Sequence, residues 1–236
     1  MVFGIALNHV LVPNVLPFVH QEVQKEYVNL KTSHNIHTQS SHSHLRNWPK
    51  FLKYENINSN DTLPKLRGGK YDYSSFDCKV TSHVDFSKLY LDNHMAKFNA
   101  FDDTCDASAV LTLLGKVPVF SPAVQSAAND VRQARNSWAH CLFSNWNEAG
   151  FQNIFFNLKQ LVNTSFGISN VDLLNYLNDW EKKGNIYFIF GVIVGEGVKE
   201  IKNVKTTNHR SQFILMVTLS FLLIRCSIMY ECYSRS

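Results

Sequence analysis

The sequence predicts an all-α fold: a compact bundle of four to five helices over residues 103–184, with a disordered N-terminal region and an apolar C-terminal helix. Three observations predict it. Apolar residues between Ala107 and Trp180 recur at three- and four-residue spacing, the signature of amphipathic helices. Cap and breaker residues punctuate that stretch. The loops left between the punctuated segments are short, as neighbouring helices in a bundle require.

The first helix follows Thr104 and carries Ala107, Val110, Leu111 and Leu114 on one face. Gly115 is expected to close it as a C-cap, and Val117-Pro118 prevents continuation. Ser121-Pro122 then supplies an N-cap with proline at the first helical position. The helix it opens is expected to reach about Cys141, with Ala127, Val131, Ala134, Trp138 and Cys141 along one stripe. A third helix begins at Ser144 or Asn145. If Asn145 caps, Glu148 can reach back in a capping box. Phe151, Ile154, Phe155, Leu158, Leu161 and Val162 form its apolar face. The fourth starts near Ser169, carries Val171, Leu174, Leu177 and Trp180, and ends at Gly184.

Outside the bundle the pattern weakens. Residues 1–70 read as low-complexity and largely disordered. The opening MVFGIALNHV lacks a basic region, and Asn8, His9, Pro13 and Asn14 interrupt it, which argues against a secretory signal. Between Lys31 and Trp48, His34, His37, His42 and His44 lie among Ser, Thr, Asn and Gln. Such a tract buries too little apolar surface to offset its ordering entropy and reads as a solvated linker, although His42 and His44 could share a metal ion. Asn58–Asp61 and Gly68–Gly69 read as turns, and 71–102 as an approach segment to the bundle. Residues 185–211 form a basic linker with Lys199, Lys202, Lys205, His209 and Arg210. Residues 212–230 follow as an apolar helix. Its length is just enough to cross a bilayer. Arg225 within it costs up to ~2.5–3.5 kcal/mol at mid-membrane, against a gain of only ~0.3–0.6 kcal/mol for each Leu, Ile, Phe or Val. A membrane anchor through residues 213–230 is one expectation, and a buried apolar helix the other.

Composition adds bounds. Hydrophobic residues make up 45% and charged residues 18%, as in a globular chain. A net charge of +4 permits contact with phosphate without demanding it. The five cysteines are scattered with no CxxC pair, which argues against a disulfide framework or a zinc ribbon and for free thiols in a reducing compartment.

One constellation could carry chemistry. Arg132, Asn136 and His140 are spaced by four and share a helix face, and the Arg135 side chain is long enough to swing onto it. Guanidinium groups grip phosphate oxygens in a planar fork, and imidazole can move a proton near neutral pH. The same pattern also suits a solvated polar face that does nothing chemical.

Arg135-Asn136 followed by His140, in the setting DVRQARNSWAHCLFSNWNEAGFQNIFFNLKQLV, preceded by DASAVLTLLGKVP and followed by LNDWEKKG, resembles the HEPN domain. It is similar in particular to the subtype named after the DAZ-interacting zinc-finger ubiquitin ligase, expanded in invertebrates beside NACHT, TPR or death-fold modules. The resemblance covers about residues 100–184. It implies Arg135 and His140 as a catalytic pair meeting across a homodimer, with Asn136 as a polar positioning residue and Arg132 beside it, cleaving RNA without metal or other cofactor. The reading favoured over cleavage is a non-enzymatic module that dimerises and binds RNA or a protein partner in an innate-immune setting, because the charge is only mildly positive and no second catalytic element accompanies the pair. The expected location is the cytoplasm, or the cytosolic face of a membrane if residues 213–230 anchor the chain.

Overall fold

The computed structural model describes residues 2–41, 52–65, 67–69, 71–140, 147–166 and 170–185. The chain divides into two compact units, Met1–Lys183 and Gly184–Ser236, and the described residues lie almost wholly in the first. That unit is helical. Among the described residues there is no β-strand, only an isolated antiparallel bridge between Lys65 and Tyr71. The basic linker, the apolar segment at 212–230 and the His42/His44 pair lie outside the described residues.

The largest departure from expectation is at the N-terminus. Residues 2–34 form one long helix, α1 (Val2–His34). Phe3, Leu7, Leu11, Val15, Val19, Val23 and Tyr27 recur every four residues along it, and all are buried. Fully burying such side chains is worth about 1.5–3 kcal/mol each, which outweighs the local interruptions. Pro13 would clash with the carbonyl four residues back in a regular α-helix. The helix avoids this by widening to π-helical geometry over Ala6–Leu11. Asn8 and Asn14, which look like breakers, donate instead to the carbonyls of Gly4 and Val10, at 2.9 and 2.7 Å. The helix ends where Asn35 adopts a left-handed conformation, φ 51°.

The 71–102 stretch, expected as an approach segment, is itself part of the core. Phe76, Cys78, Val80, Phe98 and the short helix α2 (His83–Lys88) bury their apolar side chains, Phe86 completely. Ser82 caps α2 by accepting from Asp85 N at 3.0 Å. Asn60 is only 3% exposed. Its amide nitrogen donates to the carbonyls of Tyr54 and Asp77 at 2.8 and 3.0 Å, and its oxygen accepts from Asp77 N at 3.1 Å. It ties two loop segments together and is not displayed as a glycosylation site would have to be.

The bundle follows. Helix α3 (Ala107–Lys116) is capped by Asp106, which accepts from Ala109 N at 2.7 Å; the cap is two residues later than expected. Gly115 lies inside α3 rather than after it, because Val117 N still bonds Leu113 O at 2.9 Å. A Cβ at position 115 would come within 2.8 Å of Asn129 Oδ1, so glycine here permits close approach of α3 to the next helix. That helix, α4 (Pro122–Ala139), starts as the sequence indicates, with Ser121 Oγ accepting from Val124 N at 3.4 Å. Its buried side is Val124, Ala127, Ala128 and Val131.

Helix α5 (Glu148–Phe166) buries the six apolar residues expected of it. Its first turn is capped by Asn147, not Asn145: Asn147 Oδ1 accepts from Gly150 N at 2.8 Å. The helix over 171–185, α6, buries Leu173 and Leu177, while Val171 is 55% exposed. Its apolar stripe is therefore rotated from the expected Val171–Leu174 line. Lys159 of α5 bonds Asn178 and Glu181 of α6 at 3.2 and 2.8 Å. Helix α1 lies against α2, α3 and α5. Phe18 of α1 packs on Phe120 and Phe166, with ring centroids 5.7 and 5.3 Å apart, fastening the α3–α4 connection and the last residue of α5 to it.

Candidate functional site

The residues singled out from sequence sit along α4 and at its C-terminal end. The helix closes at His140, whose backbone N bonds Asn136 O at 3.0 Å and whose side chain is exposed. Asn136 is exposed and Arg135 half-buried. The Arg135 guanidinium turns toward the amide beside it, Nη1 donating to Asn136 Oδ1 at 3.4 Å. Arg135, Asn136 and His140 thus form one polar corner open to solvent. A helix C-terminus presents carbonyl oxygens and a partial negative charge. Any anion held at this corner must therefore be held by the side-chain cations and not by the helix itself.

Trp138, between Asn136 and His140, packs inward. Its ring meets Phe3 edge-on at 6.1 Å and 77°, and covers Gly4 so closely that a Cβ there would lie 2.9 Å from Cζ2. The first turn of α1 thus supports the corner from behind. Nothing in the local spacing around Trp138 points to that partner. Cys141, which follows the histidine, lies outside the described residues.

Arg132 departs from the expected open face. It is half-buried, its Nη2 donates to Asn129 Oδ1 at 3.0 Å, and its buried Nε has no hydrogen-bond partner among the described residues. Asn129 in turn abuts Gly115, so Arg132 stands beside the C-terminal turn of α3, where Lys116 is half-buried. Thr112, one turn before Lys116, touches Met95 Sδ at 3.6 Å, and Met95 N closes a turn onto Asp92 O at 2.8 Å. Asp92 accepts a hydrogen bond from Lys53. Lys53 and Lys116, from distant parts of the chain, thus act on one carboxylate, and Arg132 stands next to Lys116. The Lys53 hydrogen bond, reinforced by the charges of Lys53, Lys116 and His94, holds Asp92 below the usual carboxylate range. Burial pushes the Lys116 amine below its ordinary value, and Lys53 and Arg132 push it further, against the pull of Asp92. Sequence reading identified Arg132 but not Lys53, Lys116 or Asp92, because only tertiary folding brings them together.

Two other groupings stand apart from these. Between α4 and α5 a cleft of about 300 Å³ is lined by Asp130, Gln133, Ser137, Asn153 and Asn157 among others. His20 and His83 meet through their Nε2 atoms at 3.1 Å, and the Phe101 ring lies nearly parallel to both imidazoles. Of the cysteines, Cys78 and Cys105 are buried, and burial beside Asp106 and Asp102 pushes the Cys105 thiol up to about 12, which disfavours the reactive thiolate. Among the described residues no group of three or more His, Cys, Asp or Glu side chains is placed to hold a metal ion. One described helix, α1, is long and apolar enough to cross a membrane by length and composition, and half of its most apolar stretch is buried within the protein. Comparison with protein-family models, with curated proteins and with solved structures returned no match.

Proposed function

We propose that this chain is a HEPN-like interaction module that binds single-stranded RNA through the Arg135–Asn136–His140 corner and pairs with a second copy there, without turning the RNA over. The observation that carries this reading is the exposure of His140 and Asn136 beside a guanidinium, on a corner backed by the rigid Trp138–Phe3 contact. A fixed backing lets exposed polar groups meet a ligand with little further loss of freedom. Arginine carries five N–H donors, so Arg135 can bond Asn136 and still grip a phosphate.

The test is binding of 5′-fluorescein-labelled single-stranded RNA by the full chain in EDTA, followed by fluorescence anisotropy and by gel. Retention of intact RNA is expected, with affinity falling roughly tenfold, about 1.4 kcal/mol, in Arg135→Ala. No binding at low salt would overturn the reading. Sedimentation of the wild type and of His140→Glu tests the pairing, which the charge reversal is expected to disrupt.

A second reading, metal-independent endoribonuclease activity of Arg135 and His140, is favoured by the same exposure of His140. Cleavage in EDTA that disappears in His140→Ala would establish it in place of the first. A third, a membrane adaptor anchored by residues 213–230, rests on residues beyond those described. Carbonate extraction of full-length protein from cells tests it.

A further inference from the structure

The cationic group around Asp92 is not used by the corner at the end of α4. Lys53, Lys116 and Arg132 come from a loop, the end of α3 and the middle of α4. Lys53 and Lys116 act on Asp92, and Lys53 and Arg132 act on Lys116, so these three cations and one carboxylate together carry a net charge of about +2. Like charges brought this close repel one another, and burial of Lys116 adds to the cost. Asp92 already accepts from Lys53, which leaves Lys116 and Arg132 without a carboxylate bonded to them among the described residues. Among the described residues the buried Arg132 Nε has no acceptor. A fold that concentrates positive charge and leaves an arginine donor unsatisfied is complementary to an anion with several acceptor oxygens.

We propose that Lys53, Lys116 and Arg132 form a binding site for a phosphate group. On the RNA-binding reading above, on which this second step rests, the site takes a backbone phosphate of the same strand that meets Arg135 and His140. Arg132 and His140 are eight residues apart on one stripe of α4, roughly 12 Å along its axis. At about 3.4 Å of rise per nucleotide in a stacked strand, that spans roughly three or four nucleotides. A strand lying along the second half of α4 would therefore reach from Arg132, at mid-helix, to the Arg135–His140 corner.

The experiment uses the full chain and two probes, a fluorescein-labelled oligouridylate and inorganic phosphate. Log affinity for the oligonucleotide is measured against log salt concentration for wild type, Lys116→Gln and Asp92→Asn. In parallel, melting temperature is followed as phosphate replaces chloride at constant ionic strength. Loss of one phosphate contact in Lys116→Gln is expected to lower the salt slope by about 0.7, and Asp92→Asn to tighten binding by removing the competing carboxylate. Phosphate is expected to raise the wild-type melting temperature and to have no such effect on Lys116→Gln. A response to phosphate lost in Lys116→Gln, with no oligonucleotide bound, supports the anion site and overturns its use by RNA. Oligonucleotide binding with a slope unchanged in Lys116→Gln, and no response to phosphate, overturns the site while leaving the Arg135–His140 reading intact. Arg132→Lys serves as the check on folding, since it keeps the charge but not the planar fork. Affinity reduced in this variant without loss of melting temperature supports a direct contact by Arg132.

Discussion

Replacing Gly4 by alanine sets two effects against each other, and their balance reports whether α1 is docked. In a helix free of the bundle, alanine is favoured over glycine by about 0.5–1 kcal/mol, because it restricts the unfolded backbone. In the folded protein the added Cβ would stand 2.9 Å from Cζ2 and 3.0 Å from Cη2 of Trp138. That ring also meets Phe3 edge-on and has no flexible end with which to retreat. Overpacking of this kind costs about 1–3 kcal/mol. The clash therefore wins by roughly 1 kcal/mol, and for a chain of this length that corresponds to a fall in melting temperature of about 2–4 °C. Urea denaturation of wild type and Gly4→Ala, followed by far-ultraviolet circular dichroism, measures the difference directly. A variant as stable as wild type, or more so, would refute the docking of α1 against Trp138. Because Trp138 lies between Asn136 and His140, the same variant is also expected to weaken RNA binding at the α4 corner.

Further outcomes follow from other parts of the structure. Asp106→Ala removes the cap of α3 and is expected to cost about 1 kcal/mol in urea denaturation, whereas Thr104→Ala, outside the helix, costs little. Phe155→Ala, at a fully buried ring, is expected to cost about 3–5 kcal/mol, enough to leave the chain largely unfolded at 37 °C. Burial, with His20 beside it, holds His83 below its ordinary 6.5, against a smaller pull from Asp85. As pH falls, the unfolded chain takes up this proton first, so stability is lost from about 6.5 downward until the folded imidazole titrates too. Melting temperatures across that range should fall in wild type and change less in His83→Gln. Lys116, whose amine is also held low by burial, runs the other way: its charge burdens the folded state at neutral pH, and the burden lifts as pH rises and the folded amine loses its proton first. Lys116→Met is therefore expected to melt higher at pH 7, with the advantage shrinking at alkaline pH.

The bundle was legible because its signals are local. Ser121-Pro122, the apolar face of α5 and the polar spacing along α4 each depend on residues within a few turns of one another. Long helix α1 was not legible for an instructive reason. Its four-residue repeat from Phe3 to Tyr27 is present in the sequence, yet Pro13, Pro17 and four asparagine or histidine residues lie across it. Breaker residues mask the period in the sequence, whereas in the fold a π-turn and two side-chain-to-carbonyl bonds reconcile them with it. Gly115 was misread for a related cause: a glycine near a helix end suits a C-cap, and only the position of Asn129 shows that it serves close packing. The Arg135–His140 corner was visible from spacing. Its support by Phe3 and Gly4, and the gathering of Lys53 and Lys116 near Arg132, were not, because those residues are separated by tens of positions in the chain.

The burial of α1 bears on how the chain can be made and divided. Its apolar stripe is synthesised before the α3–α5 helices that cover it, so for part of synthesis a long greasy rod has no partner. Contacts between α1 and Trp138 join residues more than 130 positions apart, and such closures form late. During that interval the rod offers itself to chaperones, to membranes or to a neighbouring copy with equal readiness. A fragment that begins at the bundle inherits the complementary problem, an exposed groove in place of an exposed ridge. The two halves supplied as separate chains should therefore find each other, and their recombination would measure how strongly the ridge and groove are matched.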